Sequence, residues 1–441
     1  MTSRSLRLLL LCASVAIGAC SPEAVETPTT STVAGSATTP STSETTTTTA
    51  QPQTTLPLGT EDLPLSMREE IAGLITLTEE LRELTFLQPP KIVVVTEEEL
   101  EARVRESIAE DVEDVPADEA LLELLGLIDP EVDLLQLYLD LYGEQVAGYY
   151  DGEVGELVVP AAETLSPLQK ATLVHELTHV LTDQRFGFNA VYEGLIEDQR
   201  FDEAVAFLSV IEGDATLTEL LYIQDLDVSA RQDLLAEIFG ADSTVLDTAP
   251  EFLQNSLFFP YHEGLAFVQR SYELGGFDEV NRLYVEPPTS SEQIINPRDY
   301  QRDMPIPVEV SEHVLSGYDV VFRSTWGELS FDLMFEQILG GAPEASDGWG
   351  GDAYIQWFDG SDAALLIEFV GDSPTDAQEL HAALVSYVTV GMGVAVESQE
   401  TNGGVVFEGD DFAFVRVVAD RVWFVAAGDP AIGSEIVAAL P

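Results

Sequence analysis

His175-Glu176-Leu177-Thr178-His179 constrains this chain more than any other stretch. On an α-helix, positions i and i+4 share a face, so both imidazoles can turn a ring nitrogen toward one ion about 2 Å away. Glu176 lies about 100° round the helix, within reach of water at an open coordination position but not itself a ligand; that is the placement of a general base. The chain has five histidines, and chance would set two of them around a glutamate in this way on the order of one time in a hundred. The bland alternative is a pair of core histidines.

The flanking residues predict the helix itself. Ser166 offers an N-cap, Pro167 a first helical position, Gln169 the third residue of a capping box, and Gly187 an end. Between them Leu168, Ala171, Leu173, Val174, Leu177, Val180 and Leu181 supply a broad apolar surface. The motif therefore belongs on a largely buried helix.

Two histidines leave a catalytic zinc site short of its usual third protein ligand. His262, His313 and His381 stand in separate contexts, none at the short spacing of a three-histidine motif. Cys12 and Cys20 lie in the amino-terminal segment. A carboxylate is left, and Glu212 is best placed, in a helical run over residues 201–222 where Ala204, Phe207, Leu208 and Ile211 recur at three- and four-residue intervals. Further on, Tyr261 and His262 open another helical run, and either is a candidate hydrogen-bond donor to an oxyanion, against the plainer reading of a core aromatic. Glu292 and Gln293 follow a proline pair; the preferred reading is a helix cap, the alternative a cleft lining.

With its glutamate on the following helix, His-Glu-x-x-His resembles the Glu-zincin metallopeptidases. Gly148-Tyr149-Tyr150-Asp151, Asp183-Gln184, Glu212-Gly213-Asp214-Ala215 and Pro287-Pro288-Thr289-Ser290-Ser291-Glu292-Gln293-Ile294 look like a group of exported bacterial lipoproteins classed with the zinc metallopeptidases but with little assigned biochemistry. The likeness covers residues 65–360 or so. It implies Zn2+ on His175, His179 and Glu212, Glu176 as the water-activating residue, and a peptide or protein substrate. Asp214 matches the acid that orients a zinc-bound histidine, although its spacing departs from Glu-x-x-x-Asp, and Asp183 competes for that role. The resemblance also implies a mixed upper lobe and a helical lower lobe. In it, residues 155–160 form an edge strand that captures substrate by strand addition, the alternative being an ordinary hairpin.

The fold class expected is α+β: a zincin-like domain over residues 63–310 and a smaller α+β domain over 311–441. Helices are expected over 67–87, 97–110 and 121–142, with a strand over 91–95 and a hairpin over 146–150 and 156–159. In the second domain, strands are expected over 353–358, 364–370, 404–407, 412–418 and 421–427, and helices over 375–388 and 431–440. Trp349-Gly350-Gly351-Asp352 reads as a tight turn.

Residues 1–19 read as a lipoprotein signal: Arg4 and Arg7, a short apolar run, then Ile17-Gly18-Ala19 before Cys20. Lipid on Cys20 would anchor the chain on the outer side of a bacterial cell membrane, and no disulfide within one chain would remain. Residues 20–62, rich in threonine, serine and proline, cannot bury enough apolar surface to fold; such a tether spans roughly 35 Å. Acidic side chains outnumber basic ones 79 to 18, for a net charge of −61, which repels nucleic acid and anionic lipid. Nothing in the sequence sets an oligomeric state. A reading of a different class stays open: a noncatalytic lipoprotein that binds a partner or cell-wall polymer and keeps the metal as a structural element.

Overall fold

The computed structural model describes residues 59–441 apart from 62, 111, 113, 146, 147, 241–243, 312, 342, 393, 395–397 and 402. The expected signal, Cys20 and nearly all of the expected tether lie outside the described residues, as does the start of the expected hairpin. The fold is mixed α+β. The chain runs through α1 (Leu65–Arg82), β1 (Lys91–Val95), α2 (Glu97–Glu110), α3 (Val115–Leu124), α4 (Leu134–Gln145), β2 (Tyr149–Asp151) and β3 (Glu156–Pro160) into α5 (Pro167–Phe186). Helices α6 (Phe188–Glu197), α7 (Phe201–Asp225), α8 (Val228–Ile238), α9 (Thr244–Thr248), α10 (Glu251–Gly275), α11 (Phe277–Leu283) and α12 (Ser291–Ile295) follow. The last third comprises β4 (Asp319–Ser324), α13 (Gly327–Leu339), α14 (Pro343–Ser346), β5 (Trp349–Phe358), β6 (Ala363–Gly371), α15 (Pro374–Val390), β7 (Ser398–Thr401), β8 (Gly404–Glu408), β9 (Phe412–Val418), β10 (Arg421–Ala427) and α16 (Pro430–Ala439).

One core gathers around α5 and α7, both buried on nearly every side, with α1, α6, α10 and α11 packed against them. Gly213 of α7 and Gly264 of α10 make this possible. A Cβ on Gly213 would run into the backbone of Gly264, and one on Gly264 into the backbone of Ser209. Hydrogens in place of side chains let the two helices touch, and from α10 the Tyr261 ring comes within 6.2 Å of the His175 ring on α5.

A small sheet in the order β1-β3-β2 lies next to α5. β1 pairs with β3 in parallel along its whole length, and β2 pairs with β3 antiparallel, Tyr150 opposite Leu157. This corrects the expectation of an edge strand at 155–160: β3 is central, because β1 arrives from some sixty residues upstream in the chain to take its outer side. The edge facing α5 is β2.

The second sheet is antiparallel throughout, in the order β4-β5-β6-β10-β9-β8-β7. Leu365, Ile367 and Phe369 of β6 face one core with α13 and α15, while Ala364 and Leu366 face another with Ile432 and Ile436 of α16. Two covered faces explain why β6 reads Ala-Ala-Leu-Leu-Ile-Glu-Phe-Val-Gly rather than as an apolar–polar alternation. The first of these cores also takes in Leu121, Leu122 and Leu134, so α3 and the start of α4 pack with the C-terminal sheet although they precede α5 in the chain. The helix expected over 121–142 is two, α3 and α4, parted at Gly126 with φ +72° and at Pro130. The expected turn at Trp349-Gly350-Gly351-Asp352 is instead the bulged first residues of β5. Asp352 there accepts the backbone N–H groups of Trp326 and Gly327 and the indole N–H of Trp349, at 2.6, 2.9 and 2.6 Å. Among the described residues no helix is long and apolar enough to cross a membrane.

Candidate metal centre

Helix α5 starts as its residues dictate. The Ser166 hydroxyl accepts the Gln169 backbone N–H at 3.2 Å, and the Gln169 side chain accepts the Ser166 N–H at 3.0 Å. Gly187 closes the helix at φ +66°. The reciprocal cap contributes about 1 kcal/mol or more and fixes the helix register that carries His175, Glu176 and His179 into the interior.

Glu212 meets them from α7. Its Oε2 lies 3.2 Å from His175 Nε2 and 3.5 Å from His179 Nε2, and the three side chains are 2%, 0% and 1% exposed for His175, His179 and Glu212. Two ligands held about 2.1 Å from a tetrahedral ion stand roughly 3.4 Å apart, so the spacing suits a shared Zn2+. The donor set, two imidazole nitrogens and one carboxylate oxygen, is also a zinc set. Neither ring nitrogen of His179 has a hydrogen-bond partner among the described residues. An orphaned buried donor or acceptor is costly, and a cation between Nε2 and the carboxylate would engage one of the two. Burial works to lower the pKa of His175, but hydrogen bonds to Glu212 and Glu219 and the charges of Glu212 and Glu176 outweigh it and raise it to about 10. Burial likewise acts to raise Glu212, and His179 and His175 outweigh it and hold the carboxylate below its ordinary range. This pocket is tuned to hold positive charge.

Glu176 is fully buried, and its Oε2 accepts the backbone N–H of Tyr150 at 2.9 Å. The carboxylate is thus fixed against the edge strand β2. Tyr261 of α10 stacks near His175, its ring 6.2 Å from that of His175 and inclined 25° to it. His262, the other oxyanion candidate, is exposed and stacks on Phe258 at 5.5 Å.

The two acids expected to orient a histidine are engaged elsewhere. Asp183 accepts the Tyr150 hydroxyl at 2.7 Å and the Asn189 N–H at 3.0 Å, clamping β2 and α6 to the end of α5. Asp214 is ion-paired with Arg82 of α1 at 2.7 Å and accepts the Tyr284 hydroxyl at 2.9 Å. Glu219 instead approaches His175 Nδ1, at 3.3 Å. Sequence reasoning missed it, although a signal existed: Glu219 is seven residues after Glu212, two helical turns on, and therefore on the same face. Because a carboxylate on the far nitrogen fixes the tautomer and strengthens the ligand, Glu219→Gln is expected to weaken Zn2+ binding by about 10- to 100-fold without loss of fold. Competition with a chromogenic chelator measures this, and unchanged affinity would remove Glu219 from the site.

Two cavities lie apart from the triad, at the seam between the helical core and the second sheet. One, of about 270 Å³, is lined by apolar side chains including Leu121, Phe252 and Trp326; the other, of about 670 Å³, runs along Met304, Pro305 and Asp352.

Residues 316–436, from just before β4 into α16, match the family described as Domain of unknown function (DUF8575). No curated protein and no solved structure matches the chain. The family match falls on the second sheet and leaves His175, His179 and Glu212 outside it.

Proposed function

We propose that this chain is a zinc-dependent peptidase of the Glu-zincin type, tethered by lipid on Cys20 to the outer side of a bacterial cell membrane and acting on a peptide or protein substrate. The observation that carries the reading is the convergence of His175, His179 and Glu212 at 3.2 and 3.5 Å, with the His179 nitrogens otherwise unpartnered. When bound, Zn2+ supplies Lewis acidity toward a carbonyl and toward water. Glu176, oriented by the Tyr150 N–H, takes the proton from water and returns it to the leaving amine. Tyr261 donates a hydrogen bond to the oxyanion as it develops. β2 is the edge of the small sheet beside the triad, with its Tyr150 N–H already given to Glu176, so an extended substrate lies along it without pairing to that N–H. Triad and base are 0–2% exposed, so substrate entry requires the side chains that cover them to part.

That burial also favours the second reading, a structural metal in a noncatalytic lipoprotein. The full chain is expected to carry one Zn2+ and to cleave members of a diverse peptide library, with activity removed by chelation and restored by Zn2+. A chain that binds zinc and cleaves nothing belongs to the second reading; a chain that binds no zinc sinks both.

A further inference from the structure

The smaller of the two cavities at the seam, of about 270 Å³, takes its wall from elements on both sides. Tyr138 comes from α4, Phe201 from α7, Phe252 from α10, Tyr354 from β5, and Trp326 from the residue before α13. Leu121, Leu122, Leu253 and Leu257 add to an apolar lining. Trp326 is held in place on several sides: its backbone N–H donates to Asp352 at 2.6 Å, its indole N–H to the Met334 sulfur at 3.2 Å, and its ring stands edge-on to Tyr354 at 5.3 Å.

Three acids share this wall: Asp114 at the N-cap of α3, Asp118 in its first turn, and Asp202 at the start of α7. Among the described residues, no lysine, arginine or histidine lines the cavity with them. Asp202 accepts the Ser291 N–H, which stands 3.2 Å from each of its oxygens. Asp118 has a weaker hold. Gln356 bonds its carboxyl, but the same amide also donates to the Ala117 carbonyl at 2.9 Å. Burial, then the charge of Asp114, push Asp118 up to about 7 against the pull of Gln356. A carboxylate set in an apolar wall without a counter-ion is costly, and a ligand that brings a positive charge removes that cost.

We propose that this cavity binds a small organic ammonium with an apolar or aromatic tail, Asp118 serving as its counter-ion and the rings of Trp326 and Tyr354 as part of the wall around it. The chemistry of the lining selects this kind of cation. A metal ion of the Ca2+ or Mg2+ class takes about six or more oxygen ligands, which a wall made largely of leucine and aromatic side chains does not supply. An organic ammonium needs one counter-ion, and aromatic rings attract its charge while apolar side chains cover its tail. Size sets a further limit: a dry cavity of about 150 Å³ holds a benzene ring, so one of about 270 Å³ suits a ligand of roughly ten to twelve non-hydrogen atoms.

The site does not rest on the zinc reading and is tested on the full chain by titration calorimetry with two probes of one shape, 4-phenylbutylamine and 4-phenylbutanol. At about pH 8 the amine is protonated and Asp118 is mostly ionised. The amine is expected to bind one per chain and at least about tenfold more tightly than the alcohol, because only the amine neutralises the carboxylate. Asp118→Asn is expected to cut that preference to about twofold or less while the alcohol binds as it does to the parent. Retained alcohol binding shows that the cavity is intact in the variant, so loss of the charge is separated from loss of the fold. An amine that does not bind at millimolar concentration, or binds no more tightly than the alcohol, overturns the proposal. So does a preference that survives in Asp118→Asn, and so does a loss of both probes alike, which would make Asp118 a support of the cavity wall and not a counter-ion.

Discussion

Glu176→Gln is expected to leave the chain folded and its zinc in place while lowering peptide hydrolysis by about a hundred- to ten-thousand-fold. The amide is nearly isosteric with the carboxylate, and its carbonyl oxygen can still accept the Tyr150 N–H that Glu176 now holds at 2.9 Å, so β2 keeps its place. What the amide cannot do is take a proton. His175, His179 and Glu212 are untouched, so metal content, read by elemental analysis of the purified variant, stays at the parent value. The two readings of the centre separate here: in a peptidase the variant loses kcat with zinc retained, while in a structural metal site it loses nothing that can be assayed. A third result, loss of zinc together with the fold, would mean that the clamp on Tyr150, rather than proton transfer, is why an acid stands at this position.

Much of α5 was legible before any coordinates because its signals are local. A serine cap, a proline, a glutamine three residues after the cap and a terminal glycine each act within one turn, and the histidine spacing is a property of the helix alone. Glu212 was legible for a related reason: a charged residue inside an apolar helical run needs a partner. Long-range pairing was not. Nothing near residues 156–160 announces that β1 will cover them, so β3 read as an edge. Nor does the 115–134 stretch show that its leucines pack under a sheet built mostly from residues after 349. Strand β4 and helix α13 were missed, and the single helix drawn over 121–142 ignored Gly126 and Pro130, both of which were there to be read. The orienting acid was sought at Asp214, two positions from Glu212 and already off the familiar Glu-x-x-x-Asp spacing, and not seven positions on, where helix geometry puts Glu219.

Asp214→Ala is expected to destabilise the protein by about 3–5 kcal/mol, the usual cost of leaving one partner of a buried ion pair uncompensated. Arg82 and Asp214 are both fully buried, 2.7 Å apart. Arg82 also donates to Asn281 at 2.7 Å and lies 4.4 Å from the centre of the Phe277 ring. Truncating Asp214 strands a guanidinium among these groups and deprives the Tyr284 hydroxyl of its acceptor. Urea unfolding measures the loss, and replacing Arg82 by Met in the same chain should restore a good part of it by removing the stranded charge. The zinc affinity of the folded variant is expected to stay near that of the parent, because Asp214 is occupied by Arg82 and Tyr284 and, among the described residues, no hydrogen bond or ion pair joins it to either histidine. If Asp214→Ala instead leaves stability nearly intact and lowers zinc affinity tenfold or more, Asp214 orients the centre after all and the role given to Glu219 fails. The expected pattern assigns three adjacent residues to three sides of one helix: Glu212 toward the histidines, Gly213 against α10, and Asp214 toward α1. A helix buried on all sides can carry a charged Glu-Gly-Asp sequence because each member has its own partner there.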